Sequence, residues 1–303
     1  MKRQGSERGL ALIIAMLVAA LAAAVAISVA TGQAQWAAHV SHRRDRVQAE
    51  SIVLAGIQWA RQVLDVDARA TAYDHLGEPW ALPLPPTPVE NGMVEGRIVD
   101  AQSLLNANNL AGRRADSERP RFERLFAALR IAPSLVPVIT DWVDVDDVAQ
   151  PGGAEDAWYR SAPQPSLTAN TAAVRVQELA LVRGMTTPAL ASLMRFVTAL
   201  PVDTPLNVNT APIEVLAASI ANVEPGAFAA FMASRTQRPF ASIAEFRERL
   251  PPGASIGDES LYTVKSRYFL VYVRARQGDT SAEARALIER GGARPRIVWQ
   301  TVE

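Results

Sequence analysis

The sequence contains no cysteine. That excludes disulfides, thiolate catalysis and Cys-ligated zinc. Histidine is nearly absent: His39, His42 and His75 are the only three. Nothing after residue 75 can therefore supply Ser-His-Asp or Cys-His machinery, or a His-ligated metal. An ion held there has to be a hard one bound through oxygen. An excess of either charge is missing too, since Lys+Arg and Asp+Glu both number 31. This argues against a generally basic nucleic-acid binder and leaves only a local basic patch open. Lysine is scarce, with Lys2 and Lys265 set against 29 arginines. No phosphate loop, nucleotide fingerprint or activated nucleophile is present, so the chain is not read as an enzyme. What remains is 303 residues, 49% hydrophobic and 20% charged, enough to build one large or two ordinary domains.

There is one long apolar run. Leu10 to Ala30 carries no charge and a single polar side chain, Ser28. As a helix it spans roughly 30 Å, the thickness of a bilayer core. Lys2, Arg3 and Arg8 precede it, which favours a cytoplasmic start, although Arg43, Arg44 and Arg46 on the far side blunt that bias. The run is longer than the apolar stretch of a cleaved secretory signal. An ordinary membrane anchor and the first half of a longer helix both fit. Beyond it, Gln33 to Arg69 is polar and compatible with helix. Val47, Ile52, Val53, Ile57, Trp59, Ala60, Val63 and Leu64 recur there at spacings of three and four.

Five prolines between Glu78 and Val89 predict an extended linker. Gly92–Ala101 reads as a strand, as do Tyr268–Arg276, Ser281–Glu289 and Arg296–Val302, with Gly291-Gly292 as a turn. Between these ends the chain reads as short helices over 118–130, 172–182, 187–200, 212–220, 226–235 and 242–250. The expected fold is α+β: one small sheet built from both ends of the chain and interrupted by a large all-α insertion.

From Ile131 to Tyr159 there is no Lys or Arg, yet the stretch holds Asp141, Asp144, Asp146, Asp147, Glu155 and Asp156. So much local negative charge among Trp142, Val143, Val145, Trp158 and Tyr159 is costly unless something neutralises it. Pro151-Gly152-Gly153 lets the carboxylates converge, and Ca²⁺ takes six to eight oxygens in a flexible shell. Counting Asp144 as the first position of an EF-hand puts Asp146 third and Glu155 twelfth. Val148 and Ala149 break that motif, so it is not an EF-hand. A solvated acidic loop and a catalytic carboxylate pair are the other readings, the latter without a visible base or nucleophile.

Several of these features together resemble a known family. Arg8-Gly9-Leu10 ahead of the apolar run, continued by a long amphipathic helix, resembles a type IV pilin or pseudopilin. The stretch Ile139–Tyr159, with Asp144, Asp146, Gly153, Glu155, Asp156 and Tyr159, resembles the K subunit among the minor pseudopilins of type II secretion. So do Asn106-Ala107-Asn108-Asn109-Leu110 and Asn207-Val208-Asn209-Thr210. Thr210 is placed to cap a helix beginning at Ala211 or Pro212.

The resemblance implies a division of the chain. Residues 1–9 would be a prepilin leader cut between Gly9 and Leu10 by a prepilin peptidase, with the new terminus methylated. Residues 10–30 would be a transmembrane or filament-core helix. Residues 31–102 would carry the rest of the pilin helix, the linker and the first strand. Residues 103–262 would form an inserted helical domain of sterile-alpha-motif or helix-hairpin-helix type, and 263–303 the strands that complete the pilin sheet. Ile14 stands at mature position five, where most pseudopilins carry Glu, a departure typical of the K subunit and compatible with a place at the pseudopilus tip. The resemblance further implies a structural calcium ion on Asp144, Asp146, Glu155 and Asp156, with Asp147 as a secondary ligand. It also implies partners of I and J type above a major pseudopilin, and a single-pass protein of a Gram-negative inner membrane with its soluble part in the periplasm. Its role would be the export of folded proteins.

A rival reading rests on Asn207–Leu250, which also resembles a DNA-binding helix-hairpin-helix of an uptake receptor. Glu224 and Pro225 sit where such a hairpin offers backbone N–H groups to phosphate. Arg235, Arg238, Arg247 and Arg249 keep that reading alive; the K-type reading expects no nucleic acid.

Overall fold

The computed structural model describes residues 4–292 and 294–303, with side chains from Leu10 onward. Lys2 and Arg3 lie outside the described residues, as does the side-chain environment at Gly9. Helix α1 (Gln4–Ala70) is continuous over 67 residues. Two strands follow, β1 (Leu84–Val89) and β2 (Gly92–Asp100), then the short β3 (Leu105–Asn106). Next come α2 (Ala115–Ala128), α3 (Leu135–Val143), α4 (Asp156–Ser161) and α5 (Thr187–Leu193). The two-residue strands β4 (Val197–Thr198) and β5 (Leu206–Asn207) precede α6 (Ile213–Ser219), α7 (Pro225–Gln237) and α8 (Ile243–Glu248). The chain ends with β6 (Tyr262–Thr263), β7 (Tyr268–Gln277), β8 (Thr280–Glu289) and β9 (Arg296–Val302).

The first half of α1 carries its apolar side chains in the open. Its most apolar window has a mean hydropathy of 3.0 and none of it is buried, as suits a segment made for lipid or a filament core. The second half is different. Ala49, Val53, Ile57, Ala60 and Leu64, spaced by three or four, are all buried. They lie over β7 and β8 at the middle of an antiparallel sheet ordered β1-β2-β7-β8-β9. The stripe is narrower than the sequence reading: Val47 and Trp59 are exposed. A rod on a sheet touches along one line, so residues flanking that line stay outside.

The sheet side of this contact is built from small residues. Ala275, Ala282, Ala284 and Ala286 are buried beneath the helix with Phe269, Val271 and Ile288. Gly56 makes the closest approach, since a Cβ there would meet Val273 Cγ1 at 2.7 Å. Trp80 closes one end of this core, edge-on to Phe269 at 5.2 Å.

The linker expected over Glu78–Val89 is a single 3₁₀ turn at Pro79–Ala81 followed by edge strand β1. Pro85 and Pro86 fall where the pairing of β1 with β2 shifts register, and prolines are accommodated at such irregularities and on edge strands. The helix expected over 187–200 stops at Leu193, and Val197-Thr198 then pairs in parallel with Leu105-Asn106. The span 172–182 holds only a 3₁₀ helix, Val176–Leu181. Helices α3 and α4 escaped the sequence reading. Eight of the nine residues of α3 are buried, so no polar face marked its period.

Everything between β2 and β7 has its own core, separate from the one under α1. It falls into two halves, each closed by a short parallel bridge: β3 with β4, and β5 with β6. The insertion meets the far face of the sheet through Ala101, Leu200, Tyr268 and Leu287.

The tight helix–sheet contact predicts that Gly56→Leu lowers the stability of the detergent-solubilised full chain by about 1–3 kcal/mol through overpacking. Urea or thermal unfolding followed by circular dichroism measures it, and an unchanged midpoint would show that α1 does not seat on β7 as described.

Candidate metal centre

The acidic stretch is a loop slung between two helices. Asp141 lies in the last turn of α3 and is fully buried. Both of its carboxylate oxygens accept from the Gln150 N–H, at 3.1 and 3.2 Å. The loop returns so closely that a Cβ at residue 153 would overlap the Asp141 carboxylate, which explains Gly153. Gly152 beside it has φ of +85°, a conformation glycine adopts without strain. Asp141 thus shapes the loop. It went unassigned in the sequence reading because only its buried helical register, not its spacing, sets it apart.

Asp144 ends α3 with its Oδ1 buried and without a hydrogen-bond partner. Burial first, and then the charges of Asp146, Asp141 and Glu155, push its carboxyl up to about 7. Glu155 is buried as well, with an unpartnered Oε1 and a pKa raised by burial and by Asp141. Asp146 is exposed and accepts from the Val148 N–H through Oδ1.

The other two expected ligands stand apart. Asp147 is exposed. Asp156 opens α4 and spends Oδ1 on Thr168, from both its N–H and its hydroxyl, and Oδ2 on Arg160 at 2.8 Å. Those Thr168 bonds hold the Asp156 carboxyl below the usual range. The structure therefore couples Asp144, Asp146 and Glu155 with Asp141, and leaves Asp147 and Asp156 out. No three of the coupled oxygens come within 4.8 Å of one another. The described residues bring only Asp67, Asp74 and Glu78 that close, and Arg290 faces that triad. Tyr159 anchors the loop from below: its hydroxyl accepts from the Arg183 N–H at 2.9 Å, and its ring packs on Trp142 and Trp158. Buried oxygens without a partner or a facing cation among the described residues suit a hard ion.

The asparagine motifs prove to be a repeated device. The Asn108 side chain clamps the backbone of Ala173, donating to its O and accepting from its N–H. Asn209 clamps Phe240 in the same way, at 2.9 and 2.8 Å. Asn106 and Asn207 each accept from the N–H two residues on. One side chain thereby satisfies both polar groups of a distant buried residue. Thr210, expected as a helix cap, does something else. Its hydroxyl donates to Asp100 Oδ2 at 2.6 Å, and α6 begins after Pro212 without a side-chain cap.

The arginines of the hairpin reading are already engaged. Arg235 is buried, donates to the Val208 and Ala211 carbonyls, and is pushed down to about 10 by burial. Arg238 and Arg249 both face Glu245, and Arg247 faces Glu259. Glu224 caps α7 by accepting from the Ala227 N–H, which places a carboxylate where phosphate would have to sit. The DNA-binding alternative is withdrawn on these grounds.

Two family models, both described as type II secretion system protein K, match residues 103–202 and 206–265. The gap between them falls between the two Asn-headed halves. The type II secretion system protein K of Pseudomonas aeruginosa is 34% identical over 260 residues, covering 80% of this chain and 77% of that one. This chain belongs to the type II secretion system protein K family. The protein K of Aeromonas hydrophila is 32% identical over 240 residues, covering 72% of each chain. The fold matches a chain in the crystal structure of the GspK-GspI-GspJ complex from enterotoxigenic Escherichia coli, with a TM-score of 0.75 at 22% identity, over 86% of this chain and 98% of that one. The chain is thus a protein K-type minor pseudopilin of type II secretion, with the pilin-like α+β fold that its sequence predicted.

For this K-family member the coupled acids make a prediction. The Asp144 carboxyl is raised in the folded state, so its stabilising share is complete below about pH 4 and lost as pH rises through 7. In chelator, Asp144→Asn should melt higher than the parent at pH 8, and the gap should close towards pH 4. A gap independent of pH would mean that Asp144 is not coupled to its neighbours.

Proposed function

We propose that this protein sits at the tip of the pseudopilus and takes part in the export of folded proteins as a structural, non-catalytic subunit. The observation that carries this reading is the helical insertion between β2 and β7. It hangs a second core on a pilin frame, and close-stacked neighbours in a filament leave no room for that bulk. Ile14, exposed on α1, supports it. A subunit with no carboxylate at mature position five lacks the group that docks an arriving subunit onto the one already in place. Partners of I and J type, named together with K in the structure of the similar fold, would surround α1, with a major pseudopilin below.

The amino-terminal half of α1 would first anchor the precursor in the inner membrane as a single span, with the soluble part in the periplasm. A prepilin peptidase would cut between Gly9 and Leu10, and the new terminus would be methylated. The acidic loop would hold a structural calcium ion on Asp144, Asp146 and Glu155. Asp141 would fix the loop, while Asp147 and Asp156 would add charge from the rim. Such an ion would supply the positive charge that the stretch from Ile131 to Tyr159 lacks, and would staple a domain that has no disulfides.

Two measurements check this. Ca²⁺ should raise the thermal midpoint of the parent but not of the double variant Asp144→Ala, Asp146→Ala; at a hundredfold excess over the dissociation constant the gain is about 2.7 kcal/mol. No response in the parent would return the stretch to a solvated loop. In cells, Gly9→Val should leave uncleaved precursor in membranes, and normal processing of that variant would sink the assigned cut.

A further inference from the structure

Where α1, the sheet and the helical insertion meet, acids outnumber cations. Asp67 lies near the end of α1, Asp74 and Glu78 on the segment that follows, and all three are buried. One carboxylate oxygen from each lies within 4.8 Å of the others. Among the described residues a single guanidinium faces them. Arg290, just past β8, donates through Nη1 to Asp67 Oδ2 at 2.7 Å and through Nη2 to Asp74 Oδ1 at 2.6 Å. The same guanidinium lies 4.6 Å from the centre of the Phe269 ring and donates to the Ser266 carbonyl.

Counting donors oxygen by oxygen locates the surplus charge. Asp74 is fully used: Arg290 reaches both of its oxygens and the Ser266 N–H donates to Oδ2. Glu78 Oε2 accepts from the His75 N–H at 2.9 Å and from Trp80 Nε1 at 2.8 Å. Glu78 Oε1 is buried and has no donor. Asp67 is bound through Oδ2 alone, and no other described residue donates to its carboxylate. Arg290 already stands where a metal ion would have to sit, bridging Asp67 and Asp74, so the cluster does not call for one. A buried, unpartnered oxygen on Glu78 close to the buried carboxylate of Asp67 suits a proton there, because close like charges cannot both ionise cheaply.

Among the described residues no other cation stands ready to neutralise the pair. Lys265 donates to the Thr71 carbonyl at 2.9 Å, next to the end of α1. Arg267 and Arg296 both face Glu289, and on α1 Arg69 faces Asp65. The His75 ring uses Nδ1 to accept from the Gly77 N–H. Asp100, at the end of β2, adds a fourth buried carboxylate. It is met by Gln102, Asn207, Thr210 and Ser266 and, among the described residues, by no cation.

We propose that Asp67 holds a proton beside Glu78, and that this proton is a pH-sensitive latch on the joint between α1, the sheet and the helical insertion. Burial first, then Glu78, pushes the Asp67 carboxyl up to about 6. The stability contributed by the held proton is complete below about pH 4 and lost as pH rises through 6. Its loss leaves two facing carboxylates on either side of the bend that follows α1. Arg290 ties that bend to Ser266, on the segment leading from the insertion into β7.

The test is the pH profile of unfolding of the full chain in detergent, for the parent and for Asp67→Asn. The asparagine keeps an oxygen for Arg290 and offers an N–H to Glu78, without a titrating group. Between pH 4 and 7 the folded-to-unfolded ratio of the parent should fall about tenfold or more relative to that of Asp67→Asn, since each unit of displaced pKa is about tenfold. Glu78→Gln should flatten the profile in the same way, and the double variant should be no flatter than either single one. If Asp67→Asn folds poorly, Glu78→Gln reads the same titration. Parallel profiles of parent and variants, or single effects that simply add, would overturn the proton on Asp67 and leave an ordinary buried ion pair.

Discussion

Gly56 brings the backbone of α1 against Val273, and the alanines of β7 and β8 keep the sheet low enough to receive it. That contact sets the order in which the protein can become complete. Strands β7, β8 and β9 follow the insertion, so the buried stripe from Ala49 to Leu64 lacks most of the surface it lies on until they arrive. The helical insertion must fold without holding the two parts of the sheet apart. It does so by returning to its starting point: Asp100 pairs directly with Phe269 across β2 and β7. Asp100 also takes hydrogen bonds from Asn207, Thr210 and Ser266, which binds the middle and the end of the insertion to its beginning.

The elements most open to sequence reading were those whose period or composition survives burial on one face. The four strands at 92–100, 268–277, 280–289 and 296–302 alternate or run β-branched, and they lie within a residue or so of where the pattern placed them. Apolar on almost every side, α3 lost its period; α4 is too short to show one. Strand β1 was hidden by its prolines, which signal a linker anywhere except on an edge. The same limit applied to the acidic loop. Composition marked out the stretch without a positive charge. Only the fold could separate Asp144 and Glu155, with their unpartnered oxygens, from Asp156, which Thr168 and Arg160 already occupy.

The insertion reads as two variations on one plan. In each half an asparagine clamps the backbone of a residue far along the chain, and a two-residue parallel bridge closes the unit. Side-chain amides suit this because they offer a donor and an acceptor at once, and backbone is what a small all-helical unit with few strands leaves unsatisfied. Arg121 and Glu118 join the halves through a buried ion pair that also reaches Ser219 and lies beside the Tyr262 ring. Such a pair gives little net stability but penalises any other arrangement of the two halves.

Lysine scarcity has a practical side. Beyond residue 2 the chain has one lysine, and Lys265 lies where α1, the insertion and the sheet converge, with its amine exposed while it touches the Thr71 and Ala68 carbonyls. An amine-reactive dye or crosslinker would thus mark this junction almost alone. Its emission or reach would follow the angle between rod and head inside an assembled filament, with no residue replaced.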